Sequence, residues 1–201
     1  MKLLAIISIV LSLMIPSTAG LAAIDPLPEG IGVYFDTEAS ALCQAPGGDV
    51  TCYLMLTNAS GPFVLAWTCA VEIDTNLPAS AFEEWWIRIG LNIVDTEDPV
   101  TMVSQFIVGT EWMPSPTNGY FILASRRIST INPDDFVSFR VFPLLDPEYP
   151  ACTLCYVGML GYETPLHVVN GNTDVPQTFI TSGDCVVANE AITWGQLKAL
   201  Y

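Results

Sequence analysis

The sequence predicts an all-β protein: a two-sheet antiparallel sandwich, immunoglobulin-like or jelly-roll, carrying a short C-terminal helix. Three observations predict it. Apolar and polar residues alternate with period two in one segment after another, the mark of strands with a single buried face. Clusters rich in proline and glycine, such as APGGD, NASGP, MPSPTNG and LLDPEYP, punctuate those segments. Helical periodicity is nearly absent. Strands of this kind must hide their apolar faces against a second sheet, which is why a sandwich is expected.

The first element of the 201-residue chain is not part of that sandwich. Lys2 is followed by an apolar run from Leu3 to Ile15, a break at Pro16 and small residues up to Ala23. This is the pattern of a secretory signal peptide over residues 1–23, too short to span a bilayer of about 30 Å. Residues 24–201 then form one domain, long enough to bury about 70% of its unfolded surface. Secretion, or residence in the periplasm or cell envelope, is the expected location.

Strands are expected near 31–36, 50–57, 63–73, 85–94, 100–109, 120–128, 136–142, 154–160, 166–169 and 176–188. In the second, Val50, Cys52, Leu54 and Leu56 share one face. In the third, Phe63, Leu65, Trp67, Cys69, Val71 and Ile73 do so. Trp85, Ile87, Ile89, Leu91 and Ile93 repeat the pattern, as do Val137, Phe139 and Val141. Asn118-Gly119 signals a hairpin before Tyr120, because both residues tolerate positive φ. Capping boxes at Ser80–Glu83 and Thr193–Gln196 predict a helical turn before Trp85 and a terminal helix over about 193–201.

Charge excludes some functions. With 21 acidic against 6 basic residues the net charge is −15, a surface that repels nucleic acid and anionic lipid. Acidity does suit a hard cation. Asn170, Asn172 and Asp174 alternate like the start of a calcium loop, and Asp95, Glu97 and Asp98 form a second calcium candidate. No other cofactor is expected.

Six cysteines, Cys43, Cys52, Cys69, Cys152, Cys155 and Cys185, are an even set in an exported chain, so structural disulfides are expected over redox or metal chemistry. On one extended strand Cys152 and Cys155 would lie about 10 Å apart, beyond disulfide reach, and would take different partners. A turn there would let them bond to each other. Cys43 and Cys52 flank a Pro-Gly-Gly reversal and are the favoured bridge, leaving Cys69 and Cys185 for the other two.

Catalysis is not expected. His167 is the single histidine, and no nucleophile elbow, zinc-protease helix or phosphate loop accompanies it. Carboxylate pairs able to hydrolyse glycosides remain the enzymatic alternative, a secreted hydrolase. Trp86, opposite the Ile87 and Ile89 face, and Trp112, bordering a proline-rich hairpin, are candidates for stacking on sugar rings. Asn58-Ala-Ser60 is an N-glycosylation sequon.

The segments GIGVYFD, CYLMLTNAS, VLAWTCAVEI and TWGQLKALY resemble a family of uncharacterised exported proteins of environmental bacteria. The strand pair within them is also similar to cohesin-type sandwiches, a likeness that implies binding and no catalysis. The combined expectation is an exported sandwich acting as a binding, adhesive or envelope-associated module with a protein or glycan partner; a carbohydrate-binding module is the alternative.

Overall fold

The computed structural model describes residues 25–94, 96–98, 100–114, 119–145 and 152–183. The expected signal peptide, the C-terminal helix, Cys185, Asp95 and Asn118 lie outside them. In chain order the strands are β1 (Gly30–Tyr34), β2 (Cys43–Gln44), β3 (Gly48–Thr57), β4 (Phe63–Thr75), β5 (Trp86–Ile87), β6 (Leu91–Asn92) and β7 (Thr96–Asp98). They continue with β8 (Val103–Pro114), β9 (Tyr120–Thr130), β10 (Val137–Phe142), β11 (Cys155–Val157), β12 (Glu163–Pro165), β13 (His167–Val168) and β14 (Thr178–Ile180).

Two sheets face each other. The first has the order β13-β1-β3-β9-β5, the second β12-β11-β4-β10-β14-β2. In the second sheet β8 takes the other edge of β4 and carries the short strands β6 and β7 on its far side. Pairing is antiparallel except for β13 on β1 and β2 on β14, which are parallel.

The period-two faces become the core. Val50, Cys52, Leu54 and Leu56 of β3 meet Trp67, Cys69, Val71 and Ile73 of β4, with Phe106, Val108, Phe139 and Val141 completing the layer. Trp67 is almost fully enclosed and lies against the Phe106 ring at 5.3 Å. Burying such side chains is worth roughly 2–3 kcal/mol each. Register shifts beside Leu65 and between Leu54 and Met55 alter the simple alternation. At the first, Val64 takes the buried place while Leu65 turns aside, so the expected face begins at Trp67.

Not every strand has one wet face. β1 is buried on both, because residues 35–42 fold back over its outer side. Asp36 holds that fold: its carboxylate accepts hydrogen bonds from the Glu38 and Ser40 amides and the Ser40 hydroxyl. Tyr34, Ala39, Leu42, Met55 and Val169 form a second small core there.

Two turn expectations are corrected. The strands flanking Gly119 do not form a hairpin: β8 belongs to the second sheet and β9 to the first. Gly119 keeps its positive φ of 78°, and its carbonyl accepts the Asn58 amide instead. The Ser80–Glu83 box gives only a single 3₁₀ turn, Ala79–Ala81, without a side-chain cap. Phe82 is already extended there and bridges Ile128, so sheet pairing ends the turn.

Candidate functional site

The run from Trp85 to Ile93, expected as one strand, divides at Gly90 between the two sheets. Trp86 and Ile87 pair with β9, whereas Leu91 and Asn92 pair with β8. Gly90 has a φ of 112°, and a Cβ at that position would sit 2.3 Å from the Gly109 carbonyl oxygen. Only glycine passes there. Asn92 then locks the crossing: its side-chain amide donates to the Gln105 carbonyl at 3.1 Å and accepts the Ile107 amide at 3.0 Å.

This crossing splits the expected apolar face. Trp85 and Ile87 pack partly against the core. Leu91 and Ile93 stand outside, 74% and 65% exposed. Leu91 lies opposite Gly109, and the Ile93 amide donates to the Ile107 carbonyl, so both ride on β8. Further along β8, Trp112 is 63% exposed and set edge-on to Phe63 at 5.3 Å.

The result is a shallow groove of about 470 Å³ lined by Ile89, Gly90, Leu91, Gly109, Thr110 and Glu111. Among the described residues a Cβ on Gly109 would meet nothing within 4 Å, which leaves the groove floor open there. Ile89 also borders a neighbouring groove of about 380 Å³ with Arg88, Met113, Pro114 and Ile122. Arg126, Arg127 and Arg140 are ion-paired; among the described residues Arg88 is the arginine outside those pairs. The surface is thus apolar, glycine-floored and bordered by one cation and one carboxylate, Glu111.

The sequence pointed elsewhere. Trp86 and Trp112 are both exposed, but they belong to different sheets, Trp86 on β5 and Trp112 on β8. Asn170 and Asn172 each accept a backbone amide two residues on, from Asn172 and Asp174, and so build polar turns with their side-chain oxygens. Glu97 binds Arg126 at 2.8 Å, and Asp98 caps its own turn through the Val100 amide and the Thr101 hydroxyl. Among the described residues no group of three or more histidine, cysteine, aspartate or glutamate side chains could hold a metal ion. His167 bonds Asp25 at 2.8 Å, fastening the start of the described chain beside β1. The Asn58 amide nitrogen, which a glycan would modify, donates to the carbonyls of Asp25 and Leu27.

The cysteine pairing is corrected as well. Cys152 and Cys155 bond to each other across a turn that brings their Cα atoms to 5.9 Å. The Thr68 hydroxyl donates to the Cys152 carbonyl and secures that turn on β4. Cys52 and Cys69 are free thiols buried in the core, so the Cys43–Cys52 bridge does not form. Cys52 lies mid-strand in the first sheet with its side chain inward, while Cys43 sits on β2 of the second sheet. Cys43 is disulfide-bonded. Burial pushes the Cys52 thiol up to about 12 and raises Cys69 as well, so neither is a nucleophile at neutral pH.

No family model matches the chain, and no curated protein matches it. Solved structures do. A type II cohesin domain from the cellulosome of Acetivibrio cellulolyticus is 11% identical, with a TM-score of 0.42, covering 81% of this chain and 99% of that one. The type II cohesin dyad from the adaptor ScaA scaffoldin of the same organism is 11% identical, with a TM-score of 0.44 over 78% of this chain and 49% of that one. A chain of the CaDoc0917–CaCohA2 complex is 19% identical, with a TM-score of 0.39 over 69% of this chain and 93% of that one.

Proposed function

We propose that the protein is a β-sandwich binding module whose outer β6–β8 surface docks a protein partner. The observation that carries this is the exposure of Leu91, paired opposite Gly109 on the groove floor, and of Ile93 beside it, with Trp112 exposed further along β8. Single exposed apolar residues are ordinary, but large ones gathered on one strand pair mark interaction surfaces. Aromatic and aliphatic anchors of this kind dominate binding energy when a partner excludes water from them. Arg88 at the groove edge fits a carboxylate on that partner, which in an acidic protein of net charge −15 would set orientation more than affinity. The module binds without turnover.

The test is a paired capture from the medium or envelope fraction of the source cells. Wild-type protein and the Leu91→Asp/Ile93→Asp variant are immobilised side by side, and a protein retained by wild type is purified and titrated against both. The reading expects the variant to bind at least about tenfold more weakly with an unchanged melting temperature. Equal binding by the two proteins would overturn it, as would a partner lost only on substitution of Trp86.

A further inference from the structure

At one edge of the sandwich Arg126 of β9, itself buried, reaches across to Glu97 of β7 at 2.8 Å. Its guanidinium lies over the rings of Phe82 and Trp85, at 5.2 and 5.7 Å. Beside this bridge, between the sheets, is a cleft of about 310 Å³ whose lining includes Glu84, Trp85, Ile87, Glu97, Ser104 and Phe106. That volume falls at the small end of the range for small-molecule sites, roughly 300–1,000 Å³. Trp85 and Phe106 meet at right angles, 5.8 Å apart, and form an aromatic wall.

Two polar atoms of the cleft lining, Trp85 Nε1 and Ser104 Oγ, and Arg126 Nε beside it are buried without a hydrogen-bond partner among the described residues. Ser104 is only 4% exposed and lies opposite Glu97 in the β7–β8 register. Buried polar groups are almost always paired, so two orphans in the lining of one cleft, with a third beside it, point to something that pairs with them. Two are pure donors and the hydroxyl does both. The carboxylates of Glu84 and Glu97 accept. A cation would satisfy the carboxylates but face the indole and guanidinium N–H groups; an anion would meet Glu84 and Glu97. A hydroxyl group donates and accepts, and the carbon face of a ring packs on an aromatic wall.

We propose that this cleft binds a neutral polyhydroxylated small molecule about the size of one sugar ring, through Trp85, Ser104 and the Glu84 and Glu97 carboxylates. The site shares no lining residue with the outer β6–β8 groove, although Asn92 of β6 and Gln105 of β8 also border it, and it stands or falls independently of the docking reading. The experiment follows the tryptophan indole N–H signals by heteronuclear NMR while methyl glucoside, methyl galactoside or inositol is titrated to millimolar concentration. Choline chloride and sodium sulfate serve as cationic and anionic comparators. The Trp85 signal should move with at least one polyol and with neither comparator. Binding should weaken about tenfold in Ser104→Ala and in Glu84→Ala, the second being an exposed position that leaves the fold intact. Leu91→Asp and Trp112→Ala should bind as wild type does. A Trp85 signal that no polyol moves would overturn the proposal, as would a response to choline of equal size or wild-type affinity in both cleft variants.

Discussion

Gly90→Ala is the substitution that most sharply tests how the chain crosses from sheet to sheet. With φ at 112° an alanine is strained whatever the space around it, at about 1–3 kcal/mol. Its Cβ would also lie 2.3 Å from a backbone oxygen, that of Gly109, which no rotamer change relieves. β6 would have to lift from β8, weakening the two Asn92 hydrogen bonds at roughly 0.5–1.5 kcal/mol each. At their midpoints these sum to about 4 kcal/mol, which for a domain of this size lowers Tm by roughly 8–16 °C. Gly109→Ala is the matched comparison. Gly109 is not among the glycines with positive φ, and its Cβ would touch nothing among the described residues, so the variant's stability should stay within about 0.5 kcal/mol of wild type. Thermal melts by circular dichroism, with amide exchange at Ile107 as a local probe, decide the matter. A Gly90→Ala protein melting with wild type, or a Gly109→Ala protein falling as far, would refute the reasoning.

Replacing both Cys152 and Cys155 by serine should cost about 2 kcal/mol, the loop-entropy value for so short a closure, as read from urea unfolding; no loss of stability would show that the turn is held by Thr68 alone. Alkylation of the native protein should leave Cys52 and Cys69 unlabelled, since burial raises both thiols, and denaturation without reductant should expose both to labelling, as mapped by peptide mass spectrometry. Labelling of either in the native state would contradict their place in the core. Asp135 accepts the Asn132 and Ile131 amides, and those bonds, the Asn132 amide first, hold its carboxyl below the ordinary range. A depressed folded pKa means stability present above the unfolded value, near pH 4, and lost as pH falls through the folded one. The stability gap between wild type and Asp135→Asn should therefore narrow below about pH 4; a gap that stays constant down to pH 3 would contradict it.

Much of the sandwich was legible because burial imposes period two on the sequence. Val50 to Leu56, Trp67 to Ile73 and Val137 to Val141 project the faces that their alternation implies. The errors arise where backbone geometry overrides pattern. Gly90 stands inside an unbroken alternation of Trp85, Ile87, Ile89, Leu91 and Ile93, and only its positive φ, invisible in composition, sends the two halves to different sheets. A glycine within a strand pattern is the signal that could have found the break. Asn118-Gly119 reads as a hairpin from local preference, but pairing partners are set by contacts far apart in sequence, and β8 finds β4 instead. The Cys152–Cys155 bridge turned on whether the chain bends between them, which Thr153 and Leu154 do not announce. The candidate surface was the least legible: Leu91 and Ile93 look like core residues until the crossing at Gly90 turns them outward, and Arg88 becomes notable only once the other described arginines have found carboxylates.

The most direct test of the docking surface is a hydrogen-exchange footprint of the full chain with its captured protein partner. Binding through the outer β6–β8 surface predicts slowed exchange over residues 89–93 and 107–113, with little change along β3 and β1. Protection confined to those first-sheet strands, with 89–93 and 107–113 exchanging as in the free protein, would contradict it.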